Sequence, residues 1–222
     1  MLLQKKNRKL FISLICFVFF VGLINGLINS YILNNPVLYW GFEFFQWIVI
    51  PLIVLLLLIR YGSLRLQNIG INREIFGKKS IFFVVMVCII ICSVDYLIYS
   101  LIYSFSQHFF NTTPYFTYHS VMPANDELKI LVAIYFGLTA GVVEEFYYRG
   151  LFYQASHFFA HPSFWYLMIS PVAFSLIHWE GGLASVVSTY IFGILACLFF
   201  LWTKNLWPLI IGHTYTDVIW YS

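Results

Sequence analysis

Long stretches of this chain carry no charged side chain, and this feature constrains its fold more than any other. They include residues 10–42, 44–59, 96–125, 150–179, 181–203 and 205–216. Only 9% of the residues are charged and 61% are hydrophobic, whereas a soluble globular domain has about 25% charged residues. A helix needs about 20 mainly apolar residues to cross a bilayer. The chain therefore supplies several membrane spans.

The unbroken apolar runs favour helices over a barrel. In hydrocarbon every backbone polar group must be bonded within a helix or a closed barrel, and barrel strands alternate apolar with polar residues. We predict an all-α fold, a polytopic transmembrane bundle of about seven helices, as a single membrane domain over residues 1–222. The predicted helices cover roughly residues 10–33, 43–60, 80–103, 128–158, 163–179, 183–203 and 205–221.

The basic residues predict the orientation of the bundle. Four of the twelve precede the first span, and the loop 104–127 contains no Lys or Arg. Since cytoplasmic loops are rich in Lys and Arg, we expect a multi-pass protein of the cell membrane with a cytoplasmic N-terminus. The first span is too long for a cleaved signal peptide, and no nucleic-acid partner is expected. Five further basic residues lie in or beside the loop between spans two and three: Arg60, Arg65, Arg73, Lys78 and Lys79.

Ionisable residues in the C-terminal half fall at membrane depth. Such groups cost about 2.5–3.5 kcal/mol each on insertion scales, so they face the bundle interior and usually mark a site. Glu145 and Arg149 stand at i,i+4 and can form an ion pair, whereas Glu144 points about 100° away along a helix of 3.6 residues per turn. We predict a structural role for Glu145 and a general-base role for Glu144. A buried packing network is the alternative interpretation.

Two more polar groups fall in a similar layer of the bilayer. At 1.5 Å per residue, Glu144 lies about 20 Å from its helix end near His157, and His178 about 22 Å from the start of its span. At the same rise per residue, His213 and Asp217 lie about 12 and 18 Å into the last span, counted from Lys204. With i,i+4 spacing, one of the two side chains can orient the other as a catalytic group, or both can bind a metal. The alternative is a local hydrogen bond between them. The shared depth predicts one site.

Other polar residues receive weaker predictions. For Asp95 we expect a local structural hydrogen bond, with a place in the site as the alternative. We expect Glu43 and Glu180, near span ends, to reach water. Gly137 and Gly141 form a small-residue face that allows another helix to approach closely. No role is assigned to the histidines in loops or at helix ends: His108, His119, His157 and His161.

The three polar groups together resemble the CPBP family of intramembrane proteases, also called the Abi or CAAX-protease family. Its EExxxR motif corresponds to Glu144, Glu145 and Arg149. Its FxxxH motif corresponds to Phe174 and His178, and its last motif, HxxxN or an HxxxD-like form, to His213 and Asp217. The resemblance covers about residues 128–222, the predicted catalytic core.

The resemblance implies peptide-bond hydrolysis inside the membrane. Glu144 would deprotonate a water that His178 holds, and His213 and Asp217 would lie across the scissile carbonyl. In relatives with Asn at the last position the amide can donate to an oxyanion, which an ionised Asp217 cannot do. Asp217 could instead be protonated, orient His213 or bind a metal.

No cofactor is the favoured expectation, and the alternative is a divalent metal such as zinc. Its ligands would come from His178, His213, Asp217 or Glu144. The expected partners are the lipid bilayer and a hydrophobic peptide or membrane-protein substrate. For small bacterial members the resemblance suggests bacteriocin maturation, self-immunity or peptide-signal processing.

Two other functions remain as hypotheses. One is a non-enzymatic membrane scaffold or immunity protein that binds a sensor kinase or a toxin receptor; a scaffold has no need for a buried base. The other is a small transporter that uses the same acids as a proton relay. The sequence lacks paired, Pro/Gly-broken helices typical of many transporters.

Overall fold

The computed structural model describes residues 5–62, 64–71, 81–110 and 113–222. Within them the chain is helical without strands and contains seven long helices, which confirms the predicted all-α bundle. Five of the seven are long and apolar enough to cross a membrane, namely α1 to α4 and α6. The helices are α1 (Lys5–Ile32), α2 (Pro36–Arg60), α3 (Ile81–Phe110), α4 (Asp126–Ser156), α5 (Pro162–Leu176), α6 (Gly182–Thr203) and α7 (Trp207–Tyr221).

Local sequence signals set several helix ends. The Asn125 side chain accepts a hydrogen bond from the Leu128 N–H at the start of α4, as favoured N-cap residues do. Pro162 and Pro208 lie in the first turns of α5 and α7, where a missing N–H removes no helical hydrogen bond. Lys204 ends α6 in the left-handed conformation, with φ of 50°.

Two of the long helices contain a π-helical segment that the sequence analysis did not predict. One is Phe45–Val49 in α2, and the other is Glu145–Leu151 in α4. All seven residues of the second segment are buried. Segments of this kind interrupt α-helices mostly as single turns and are frequent at functional sites.

Glycines bring α4 and α7 into close contact. A Cβ added at Gly137 would lie 2.8 Å from the Thr214 carbonyl oxygen, and one at Gly141 would lie 2.5 Å from Thr214 Oγ1 and 3.1 Å from the Ile210 carbonyl oxygen. The predicted small-residue face is therefore confirmed. This close approach places Glu144, just after Gly141, opposite His213 on α7.

Three predictions about buried acids were wrong. Glu43 and Glu180 do not reach water, because their exposed fractions are 1% and 7%. Asp95 is 1% exposed, and neither of its carboxylate oxygens has a hydrogen-bond partner among the described residues. It faces α7, where a Cβ at Gly212 would lie 2.7 Å from Asp95 Oδ2. Neighbouring helices, rather than position along a span, decide the burial of these carboxylates.

The orientation in the membrane stays a prediction. Of the basic residues that support it, Arg73, Lys78 and Lys79 lie outside the described residues. The outward faces of the bundle carry many exposed large apolar side chains, such as Phe20, Leu56 and Leu101. Such faces suit contact with lipid chains.

Candidate active site

The helices α4, α5 and α7 bring the predicted site residues to one cavity of about 170 Å³. Glu144 lines it from α4, His178 from the residues just after α5, and His213 and Asp217 from α7. The cavity is far larger than the ~10–15 Å³ that one water requires. A water and part of a peptide can therefore lie beside these four side chains.

His213 is surrounded by carboxylates. Its Nδ1 lies 2.8 Å from Glu145 Oε1, and an ionised carboxylate only accepts hydrogen bonds, so Nδ1–H is assigned as the donor. On the other side of the ring, Nε2 lies 3.6 Å from Glu144 Oε2 and 3.7 Å from Asp217 Oδ2. Glu145 therefore orients this imidazole, and Nε2 is presented to the other two acids.

The bond between Glu145 and His213 joins two motifs that lie 68 residues apart. The i,i+4 spacing predicted only Asp217 as an orienting group for His213. No sequence signal reveals the bond to Glu145 without the packing of α4 against α7. A role for Glu145 beyond its own helix follows from this geometry.

The predicted ion pair within α4 is present. Arg149 Nε lies 3.2 Å from Glu145 Oε2, and both residues are 0% exposed. Although this distance is short, none of the guanidinium nitrogens meets hydrogen-bond geometry with the described residues. The guanidinium also lies over the Phe174 ring, 4.2 Å from its centroid. Coulomb attraction and cation–π contact therefore hold Arg149 in place.

Phe174 also fixes His178. The His178 Nδ1 lies 2.8 Å from the Phe174 carbonyl oxygen, which can only accept, so Nδ1–H is the donor and Nε2 remains an acceptor. The two rings lie 4.8 Å apart between centroids, and the same phenylalanine lies 6.1 Å from the His213 ring. Phe174 thus contacts all three motifs of the site.

Several cavity residues were missed or dismissed from the sequence. Glu43, Gln46 and Glu180 line the cavity and are buried; the only signal in the sequence was a polar residue within an apolar stretch. His119, to which no role was assigned, lines the cavity from the exposed loop. Partial burial of its ring and the nearby Lys129 ammonium lower the pKa of His119. Its imidazole is therefore neutral at neutral pH.

The four cavity side chains are also the candidate ligands of the predicted metal alternative. Among the residues that the structure describes, no group of three or more His, Cys, Asp or Glu side chains is arranged to hold a metal ion. Glu145 occupies Nδ1 of His213, and His178 Nδ1 is turned to a backbone carbonyl. Both histidines keep Nε2 available, and a metal-bound histidine commonly donates its other ring N–H to a carboxylate or a backbone carbonyl. The choice between the metal-free and the zinc mechanism therefore stays a prediction.

Apolar helices that enclose carboxylates and histidines define a multi-pass membrane protein with a buried polar site. Residues 126–219 match the model of the Rce1-like family, described as type II CAAX prenyl endopeptidase Rce1-like. The match contains all three motifs and confirms the resemblance to the CPBP, or CAAX-protease, family. The C-terminal region is therefore similar to this protease family. A search of curated proteins and a search of solved structures each gave no significant match.

Proposed function

We propose that this protein is an intramembrane endopeptidase that hydrolyses peptide bonds of hydrophobic peptides or membrane-anchored proteins. The observation that carries the proposal is the carboxylate–imidazole arrangement in the cavity, with Glu144 Oε2 3.6 Å from His213 Nε2 and Glu145 holding Nδ1. The match to a CAAX-type protease family supports the reaction class. Bacteriocin maturation, self-immunity and processing of peptide signals are the proposed settings, as the resemblance to small bacterial members of the family suggests.

Glu144 acts as the general base. A water in the cavity gives a proton to the Glu144 carboxylate and donates its second hydrogen to His178 Nε2, while its oxygen attacks the scissile carbonyl carbon. Glu144 then returns the proton to the leaving amine nitrogen as the carbon–nitrogen bond breaks, so the proton balance closes. A positioned base of this kind contributes about 10²–10⁴-fold.

His213 stabilises the oxyanion. In its imidazolium form, Nδ1–H is bonded to Glu145 and Nε2–H is free to donate to the tetrahedral oxygen. Asp217 Oδ2, 3.7 Å from Nε2 in the resting site, pairs with this cation before the substrate arrives. This arrangement gives Asp217 a role that an ionised carboxylate can fill, where relatives with Asn use an amide donor.

The proposal is tested by Glu144→Gln, which keeps the shape of the side chain and removes the base. Glu127→Gln is the matched control, because Glu127 lies in the first turn of the same helix and is exposed. The full-length protein in lipid nanodiscs is incubated with a pool of hydrophobic peptides, and cleavage is followed by mass spectrometry. We expect Glu144→Gln to lower the rate at least about 100-fold at normal abundance, with no change in the control.

Two results contradict the proposal. The first is normal cleavage by a well-folded Glu144→Gln protein. The second is a wild-type protein that cleaves no peptide but co-purifies with a sensor kinase or a toxin receptor, which favours the scaffold.

A further inference from the structure

The cavity contains polar residues that the proposed hydrolysis does not use. Glu43 lies in α2 just before its π segment, Gln46 lies within that segment, and Glu180 lies in the short helix Trp179–Gly181 before α6. All three line the cavity, and their exposed fractions are 1%, 6% and 7%. Two separate elements of the fold, α2 and the short helix Trp179–Gly181, thus place polar side chains around one space.

These side chains present unpaired acceptors. Glu43 Oε2, Gln46 Oε1 and Glu180 Oε2 have no hydrogen-bond partner among the described residues. Buried polar groups in native proteins nearly always have a partner. An ammonium or guanidinium carries several donors and no acceptor, so a cation is the ligand type that satisfies all three oxygens.

The charge of the cavity favours the same ligand. Its described lining includes four acidic side chains, Glu43, Glu144, Glu180 and Asp217, against one cation, the His213 imidazolium, and neither Lys nor Arg. His119 at the exposed loop, with its lowered pKa, is neutral at neutral pH. A cleft lined by one sign of charge between apolar walls concentrates ligands of the opposite sign.

Two tyrosines connect these acids with the catalytic carboxylates. Tyr118 lines the cavity together with Glu43 and Glu180. Its ring lies 6.2 Å from the Tyr221 ring, and Tyr221 lines the same cavity beside Asp217 and Glu144. A group bound by Glu43 and Glu180 is therefore a near neighbour of the bond under attack.

We propose that Glu43 and Glu180, together with Gln46, form an acidic subsite that binds a positively charged group of the peptide substrate close to the scissile bond. The ligand is an ammonium or guanidinium, from a Lys or Arg side chain or from the amino terminus of the peptide. The inference rests on the proposed function. Glu180 is held in position by its carbonyl oxygen, which accepts hydrogen bonds from the backbone N–H groups of Tyr115 and Phe116 at 2.6 and 3.1 Å.

The test measures binding separately from cleavage. Hydrophobic peptides with one Lys moved along the sequence are compared with the same peptides carrying the neutral, unbranched norleucine at that position. Each peptide is made with an acetylated and with a free amino terminus. Binding is measured to full-length Glu144→Gln protein in nanodiscs, and to the same protein carrying Glu43→Gln, Glu180→Gln or the control Glu127→Gln.

We expect at least tenfold tighter binding of the best Lys peptide than of its norleucine partner. Glu43→Gln or Glu180→Gln should reduce this preference to less than threefold, whereas Glu127→Gln should leave it unchanged. A preference that persists after acetylation identifies the side chain as the ligand, and one that acetylation abolishes identifies the amino terminus.

Equal binding of the two peptide sets, or a Lys preference that survives both Gln variants, overturns the subsite. Failure of the subsite and failure of the proposed function are distinguishable. A wild-type protein that binds and cleaves both peptide sets equally is a protease without the subsite. A protein that prefers Lys peptides through Glu43 and Glu180 but cleaves none has the subsite without the proposed activity.

Discussion

Replacement of Glu145 or Arg149 tests whether their buried pair stabilises the fold. Each is 0% exposed, and Glu145 is ion-paired with Arg149 in its own helix and hydrogen-bonded to His213 in α7. Glu145→Ala leaves a guanidinium enclosed by aromatic rings, and Arg149→Met leaves a carboxylate with only the imidazole. Each variant therefore leaves a buried charge without its ion-pair partner and without access to water.

The magnitude follows from the burial. Removal of one partner of a buried ion pair destabilises a protein by about 3–5 kcal/mol. At about 2–4 °C per kcal/mol for a chain of 150–250 residues, each single variant should lower Tm by roughly 6–20 °C. The double variant Glu145→Ala/Arg149→Met leaves neither charge unpaired. Its loss in the free energy of unfolding should therefore be smaller than the sum of the two single losses, by a coupling energy of about 0.5–3 kcal/mol.

The assay is thermal unfolding of the four proteins in one detergent, monitored by fluorescence-detected size exclusion, with SDS titration for the free energies. Glu127→Ala serves as the control on an exposed carboxylate of the same helix and should leave Tm unchanged. Additive losses, or single variants with the Tm of the wild type, would refute the conclusion that this pair is enclosed and coupled.

Three further predictions concern packing, the last motif and metal content. Gly141→Ala should destabilise the protein by about 1–3 kcal/mol, because the added Cβ would lie 2.5 Å from Thr214 Oγ1. The control Gly41→Ala, whose Cβ would have no atom within 4 Å, should not destabilise it. Thermal unfolding of both variants tests this difference. Asp217→Asn should keep most of the cleavage activity, because an amide can donate to the oxyanion, and Asp217→Ala should lose it; comparable rates for the two variants would contradict this. Elemental analysis of the purified protein should find no stoichiometric divalent metal, and His213→Gln should not alter the metal content; a bound zinc that is lost with His213 would favour the metal mechanism.

Helix positions could be predicted from the sequence because they depend on local quantities. Runs of apolar residues fix where spans lie, and Asn125 or Pro162 marks where a helix begins. The i,i+4 spacing of Glu145 and Arg149 puts both side chains on one helix face, where they can pair. Depth along each helix puts Glu144 and His213 in one layer of the bilayer. None of these inferences needs knowledge of neighbouring helices.

The other site features depend on which helix faces meet, and no local pattern encodes that. Glu180 was expected at a water-exposed end, but the chain at residues 115 and 116 bonds to its carbonyl oxygen and α1 passes close by, where a Cβ at Gly26 would lie 2.5 Å from Glu180 Cβ. Asp95 was expected to find a local partner, but it faces the backbone of α7 at Gly212. The pattern of apolar residues likewise does not predict the two π segments.

The position of Phe174 makes its ring a natural spectroscopic reporter. It lies 4.2 Å below the Arg149 guanidinium and within 4.8 and 6.1 Å of the two imidazoles, so its electronic surroundings combine the charges of all three groups. A single fluorine on this ring would give a ¹⁹F resonance that shifts when either histidine gains a proton or when a peptide enters. One nucleus could thus follow the whole reaction cycle without a label on the substrate.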